Sequence, residues 1–189
     1  YYGNRGDEVL TEESPAGQGF LAEVCHAWEK ATSAVQQPVR VVHARIGIVL
    51  SPTGGALGQM LLPFRRGLGG VIGSGEQYMS WVTLDDVLGA IHHALITEHV
   101  HGPMNVTAPH PVTNRELTTT LGSVLGRPTV LPLPASVIRL ALGEMANELL
   151  LSSARVQPQQ LQQSHYTFRH PALDGALRHI LGKFMKFVG

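Results

Sequence analysis

An α/β fold built on parallel strands is predicted by three features of the 189-residue sequence. Short apolar, β-branched runs alternate with amphipathic helical stretches, the order expected of strand–helix–strand units. The run Val39 to Leu50, VRVVHARIGIVL, is apolar almost throughout, as in a strand covered on both faces. Helix-start residues stand where helices should begin: Thr83 before Leu84, and Thr113 with Glu116 three residues on.

The elements follow in order. Asn4 to Gln18 is rich in Gly, Asp, Glu, Ser and Pro and reads as a loop. The spacing of Leu21, Val24, Cys25 and Trp28 predicts a helix over about Gly19 to Val35 with one apolar face. After the Val39–Leu50 strand, Pro52-Thr53-Gly54-Gly55 is a turn, and Ala56 to Arg65 is a short helix interrupted by Pro63. Gly67 to Gly75 is loop, suited to lining a pocket because Gly lets the backbone approach closely. Gln77 to Leu84 is a strand with Tyr78, Ser80 and Val82 alternating. Leu84 to Thr97 is a helix with Asp85 and Asp86 facing the positive end of its dipole. Met104 to Ala108 is a strand, Thr113 to Leu125 a helix closed by Gly126, and Thr129 to Leu133 a fourth strand. Ala135 to Met145 is a helix, and three short helices are expected beyond Glu148. An open doubly wound sheet usually has five or six strands with its cofactor loop after the first, and that loop is not evident here.

Composition narrows the function. Apolar residues make up 43%, enough for a globular core. Fourteen Lys and Arg balance 14 Asp and Glu, which argues against a nucleic-acid binder. Charged residues are only 15%, so part of the surface is expected to be covered by another subunit, a ligand or further chain. One cysteine, Cys25, excludes a disulfide framework and a Cys-based zinc site. No apolar run approaches the roughly 18 residues of a membrane span, and a cytoplasmic location is expected. The opening Tyr1-Tyr2-Gly3-Asn4-Arg5-Gly6 reads as a buried strand end entering a loop, so more sequence is expected upstream.

Local motifs do not by themselves name a chemistry. Gly54-Gly55-Ala56-Leu57-Gly58 follows a strand and opens a helix, where backbone N–H groups cradle phosphates, but the spacing is not G-x-G-x-x-G and a plain turn is the simpler reading. His92, His93, His99 and His101 cluster, and His99-x-His101 is a candidate metal pair with little support beyond Glu98. Gly73-Ser74-Gly75 lacks the flanks of a nucleophile elbow. Cys25, on an apolar helix face, reads as a small hydrophobe rather than a nucleophile.

The stretch Arg45-Ile46-Gly47-Ile48-Val49-Leu50 through Ser51-Pro52-Thr53-Gly54-Gly55, Pro63-Phe64-Arg65-Arg66-Gly67 and Gly73-Ser74-Gly75, then Trp81-Val82-Thr83-Leu84-Asp85-Asp86, resembles the epimerase family of atypical short-chain dehydrogenase/reductases. Tyr1-Tyr2-Gly3 and the Phe20…Trp28-Glu29 helix add to the likeness, which covers essentially the whole chain. The resemblance implies the later half of a doubly wound, Rossmann-like extended fold. Residues 1–133 would form the second half of an NAD(P)-binding domain, and 134–189 a small helical domain of unknown function. It implies NADP or NAD as cofactor, an unidentified small-molecule substrate, and no nucleic-acid or membrane partner; the oligomeric state is left open. The family's Gly-rich cofactor loop would precede residue 1, and the NAD/NADP choice would lie with it.

Residue by residue, the resemblance places Ile48, Val49 and Leu50 beside the nicotinamide, Val49 foremost, and makes Met60, Phe64, Gln77 and Trp81 pocket residues. It also exposes a departure. Typical members carry Tyr-x-x-x-Lys on the Gly19–Val35 helix, the Tyr as proton donor and the Lys lowering its pKa. Aligned on Glu29, those positions hold Leu21 and Cys25, and no Tyr here is followed by Lys at that spacing. Cys25, Glu23 and Tyr2 are the possible substitutes. Three outcomes are open: an NAD(P)-dependent oxidoreductase or epimerase-like enzyme, a non-catalytic NADP(H)-binding sensor or partner-binding protein, and a piece inert without its cofactor loop.

Overall fold

The computed structural model describes residues 1–35, 39–134 and 151–183. Parallel pairing dominates. Strand β1 (Val9–Leu10) pairs with β8 (Arg155–Val156), β2 (Val42–Ile46) with β6 (Gly102–Val106), and β3 (Ile48–Leu50) with β5 (Trp81–Thr83), all parallel. Among the strands of the described residues, only β4 (Tyr78–Met79) and β7 (Val112–Thr113) pair antiparallel. Among the described residues the α-helices are α1 (Phe20–Ala31), α2 (Gly55–Arg65), α3 (Leu84–Ile96), α4 (Asn114–Leu125), α5 (Gln159–Gln163) and α6 (Leu173–Ile180).

The predicted Val39–Leu50 strand is two strands with two partners. Through Ile46 it bonds to β6; then Gly47 N donates to Val106 O at 3.1 Å while Ile48 N donates to Ser80 O at 2.8 Å, handing the chain to β5. Nor is it covered on both faces: Ala44 is exposed and Ile46 is 47% exposed. Its apolar composition reflects a face left open among the described residues. The Gln77–Leu84 strand also divides, β4 pairing with β7 and β5 with β3. Because β5 lies between packed layers, Trp81, Val82 and Thr83 are all buried and no alternation survives. Thr129 to Leu133 forms no strand; a single bridge, Ile72 to Leu133, is its one ladder contact. Val9–Leu10, predicted as loop, is a strand, because it finds its partner at Arg155–Val156, far along the chain. The helix predicted over Ala135–Met145 lies outside the described residues.

Helix punctuation follows the sequence closely. Thr83 accepts from Asp86 N at 3.1 Å, Thr113 and Glu116 form a reciprocal capping box, and Gly126 ends α4 in the left-handed conformation. Pro63 sits inside α2 without ending it. Leu50, Leu57, Phe64, Trp81, Leu121 and Leu177 build a core between β3–β5 and helices α2, α4 and α6. Val82, Ala90, Val100, Met104 and Leu161 build a second between α3, β6 and α5.

One buried carboxylate gathers several of the bonds that fasten the tail to this frame. Asp86, 2% exposed, accepts from Thr83 Oγ1 at 2.9 Å, Tyr166 Oη at 3.1 Å, Arg169 N at 2.8 Å and His170 N at 3.0 Å. Beyond capping its helix, it anchors the segment that leads into α6. Burial, and then the adjacent Asp86 charge, push the Tyr166 phenol well above its ordinary range. Glu12 does the same for the N-terminal loop: its carboxylate accepts from Asn105 N, Gln159 N and Gln160 N at 3.0, 3.2 and 3.1 Å.

Candidate functional site

A cavity of about 780 Å³ opens between α1 and the strands, within the usual size of a small-molecule or cofactor site, roughly 300–1,000 Å³. One wall is α1 through Leu21, Ala22, Cys25 and Trp28; Leu21, Cys25 and Trp28 belong to the predicted apolar face, whereas Val24 of that face is not on the wall. Only Ala22 on this helix is buried, while Leu21 is 44% and Trp28 72% exposed. The apolar stripe therefore faces the cavity instead of packing into the core. The opposite wall is Ala44 to Ile48 with Tyr78, Met79, Ser80 and Thr107. Tyr1, Tyr2 and Gly3 close one end. They are seated by Gly17, whose N–H donates to Tyr1 O at 3.0 Å and where a Cβ would collide with the Tyr2 carbonyl.

Gly47 lies at the centre of the strand wall. A Cβ there would strike the Ser80 carbonyl and stand 2.8 Å from Thr107 Cγ2, so the wall can be this flat only with glycine. Thr107 is 2% exposed, and its hydroxyl, which has almost no accessible surface, has no hydrogen-bond partner among the described residues. Ser80 is committed: its Oγ donates to Ala154 O at 2.7 Å and accepts from Val156 N at 2.9 Å.

One end of the site is set by charge. Arg45 donates to Glu29 through Nε at 2.7 Å and Nη2 at 2.8 Å, a two-pronged pair that ties α1 to β2. The same guanidinium lies 3.4 Å over the Tyr1 ring and donates from Nη1 to the Tyr2 hydroxyl at 2.9 Å. Burial by itself would raise the Glu29 carboxyl, yet Arg45 holds it below the usual carboxylate range; Glu29 and Tyr2 in turn raise Arg45 against its own burial. The Tyr2 hydroxyl has Asn105 Oδ1 at 2.7 Å and Thr11 O at 2.9 Å as acceptors for its single proton. Burial raises its pKa, only partly offset by Arg45. Tyr2 is thus a neutral, fully engaged phenol, poorly placed to give a proton to a substrate.

The predicted site residues divide. Ile48 lines the cavity. Val49 packs against the α3–β6 core and Leu50, 2% exposed, lies in the α2–α4 core, since successive side chains on a strand alternate in direction. Phe64 and Trp81 are 3% and 1% exposed, Trp81 donating to His110 O at 3.1 Å, and Met60 packs beside them. Gln77 is buried and donates to Ile72 O at 3.1 Å. None of these four is on the cavity wall. The Gly67–Gly75 loop is not there either: Gly73 N donates to Leu133 O and Ile72 N to Asn114 Oδ1, so its backbone is spent on the fold. Leu21 and Cys25, aligned with the family's Tyr and Lys, both reach the wall. Tyr78, Ser80 and Thr107 were not singled out by the sequence, which carries no local signal for them.

The residues present fit the nicotinamide end of a dinucleotide. A flat ring needs a flat, largely apolar slot, and Gly47, Ile46, Ile48 and Leu21 offer that.

Residues 133–180 match the model of a domain of unknown function, DUF1731. The chain is 47% identical over 178 residues to "Epimerase family protein Mb2239" of Mycobacterium bovis, covering 94% of this chain and 59% of that protein. It is 42% identical over 171 residues to the human epimerase family protein SDR39U1, covering 90% of this chain and 58% of the relative. A crystal structure of human SDR39U1, isoform 2, with NADPH superposes with a TM-score of 0.90 at 38% identity, covering 97% of this chain and 63% of that one. The chain thus spans about three-fifths of the length of the relatives it matches. On strand topology, the α1 and β2–β3 geometry and these similarities, the chain belongs to the epimerase family of atypical short-chain dehydrogenase/reductases.

Proposed function

We propose that this chain supplies the nicotinamide-side wall and the substrate cavity of an NADP(H)-dependent oxidoreductase of the epimerase family. The observation that carries this reading is the 780 Å³ cavity bounded by Gly47, Ile48 and α1. The NADPH in the human relative's crystal structure favours NADP(H) over NAD. When bound, the cofactor supplies the hydride. The chain's own residues provide a flat apolar slot and exclude water with Leu21, Ala22 and Ile48. The Arg45–Glu29 pair holds α1 at a fixed distance from the strand wall.

A second reading is favoured by one specific feature. Leu21 and Cys25 stand on the wall where the family's proton donor and its lysine would be, and Tyr2 is committed elsewhere. With those two positions held by Leu21 and Cys25, a protein that binds NADP(H) without turning over substrate is the alternative.

The test is NADPH and NADH calorimetry on the 189-residue chain and on a form extended upstream to its relatives' length, followed by NADPH oxidation against a panel of sugar nucleotides and small carbonyl compounds. Tight binding by the extended form, with Gly47→Val abolishing it, supports the cofactor site. Oxidation of NADPH by any substrate then selects the enzyme over the sensor. No binding by the extended form overturns both.

A further inference from the structure

Away from the cavity, three metal-binding side chains from separate parts of the sequence meet. Asp85 stands in the first turn of α3, His179 in the last turn of α6, and His170 in the loop between α5 and α6. Asp85 Oδ2 is 3.0 Å from His179 Nε2 and 3.6 Å from His170 Nε2. One donor atom from each of the three lies within 4.8 Å of the others. The two imidazoles stack, with centroids 4.2 Å apart and planes 27° from parallel.

We propose that Asp85, His170 and His179 bind one divalent transition-metal ion of the zinc type, clasping the C-terminal segment to the start of α3. Three considerations carry this. Metal–ligand bonds of about 2.0–2.1 Å at tetrahedral angles place ligand atoms about 3.3 Å apart, and the two carboxylate–imidazole distances bracket that value. Two imidazoles and one carboxylate suit zinc, cobalt or nickel; magnesium and calcium require an oxygen shell. The ligands are also pre-positioned, because Asp86, next to Asp85, holds the backbone N–H of both Arg169 and His170. Coordination needs the imidazoles to leave their stack and turn about χ2 until both Nε2 lone pairs meet at one point. The His179 side chain, 49% exposed, has room to do so. Three protein ligands leave a fourth position for water. Among the described residues no other such group forms, and the His99-x-His101 pair suggested by spacing is not part of it.

Zinc chloride titrated by calorimetry into tag-free, chelator-treated chain tests the proposal. One equivalent should bind. His179→Gln, His170→Gln and Asp85→Asn should each weaken binding by about tenfold or more, while His99→Gln and His101→Gln leave it unchanged. Cobalt should give the absorption of a low-symmetry site that His179→Gln removes. His179→Gln, at an exposed helix position, is the decisive variant should either of the others alter the metal-free fold, which circular dichroism would report. Absence of saturable binding, or equal affinity in the site and control variants, overturns the proposal.

Discussion

Both carboxylate oxygens of Glu29, on α1, are held by the guanidinium of Arg45, on β2, at 2.7 and 2.8 Å, and that guanidinium also covers the Tyr1 ring. A helix that buries only one residue is therefore fixed by a charge pair instead of by apolar packing. The Arg45 side chain is 9% exposed and that of Glu29 20%, which puts the pair between the surface and buried regimes. Arg45→Met should lower stability by about 2–4 kcal/mol, because it strands a partly buried carboxylate. The double variant with Glu29→Gln should recover part of that loss. Urea unfolding of the three forms checks this.

The same pair sets a pH dependence. Glu29 has a depressed pKa in the folded protein, so its contribution to stability is present above the unfolded carboxylate value of about 4.3 and is lost as pH falls through the lower, folded one. Glu29→Gln should flatten the acid limb of a plot of unfolding free energy against pH below about pH 5. An unchanged limb would show that other carboxylates control it.

Asp86→Asn should release the tail. The amide keeps one acceptor oxygen where the carboxylate offered two to four donors, so about 2–4 kcal/mol should be lost. Residues 165–183 should become protease-sensitive before the rest of the chain, as mass spectrometry of limited digests would detect. Tyr166→Phe, which removes one of those donors, should cost about 1 kcal/mol.

Gly47→Ala should disturb the strand hand-over, because the added methyl group meets the Ser80 carbonyl and the Thr107 side chain. A loss of about 1–3 kcal/mol is expected, typical of an overpacked site, and is readable as a drop in Tm.

Cys25, half-buried on the cavity wall, is the chain's single thiol. Iodoacetamide should label it in the folded protein. If the proposed cofactor site is correct, NADPH should slow that labelling in the form extended to its relatives' length. Equal rates with and without NADPH would place the nicotinamide elsewhere.

Features encoded over a few neighbouring residues were legible in the sequence. The Thr83 and Thr113 caps, the Gly126 stop and the helical phase of α1, α3 and α4 all depend on contacts within about four positions, and the structure shows each. Family membership was legible too, from the Arg45–Gly75 and Trp81–Asp86 stretches.

What periodicity misread was decided by partners far away in the chain. The stripe Leu21, Cys25, Trp28 has the pattern of a core face, but a pattern cannot tell a core from a cavity; the strands opposite settle that. Val39–Leu50 looks like one buried strand because apolar composition does not record that Gly47 changes neighbours. Trp81 and Phe64, which the resemblance made pocket residues, are buried because β5 and α2 lie between packed layers.

By itself, then, the sequence determined the α/β class, the caps of α3 and α4 and the family, while α1, expected to reach Val35, ends at Ala31. Only the tertiary structure decided which apolar face was left open, that Tyr2 is bound by Arg45 and Asn105, and that Asp85 meets His170 and His179. The reason is physical: caps and turns are satisfied by adjacent backbone groups, whereas a cavity wall or a ligand cluster is assembled from side chains whose nearness exists only once the chain has folded.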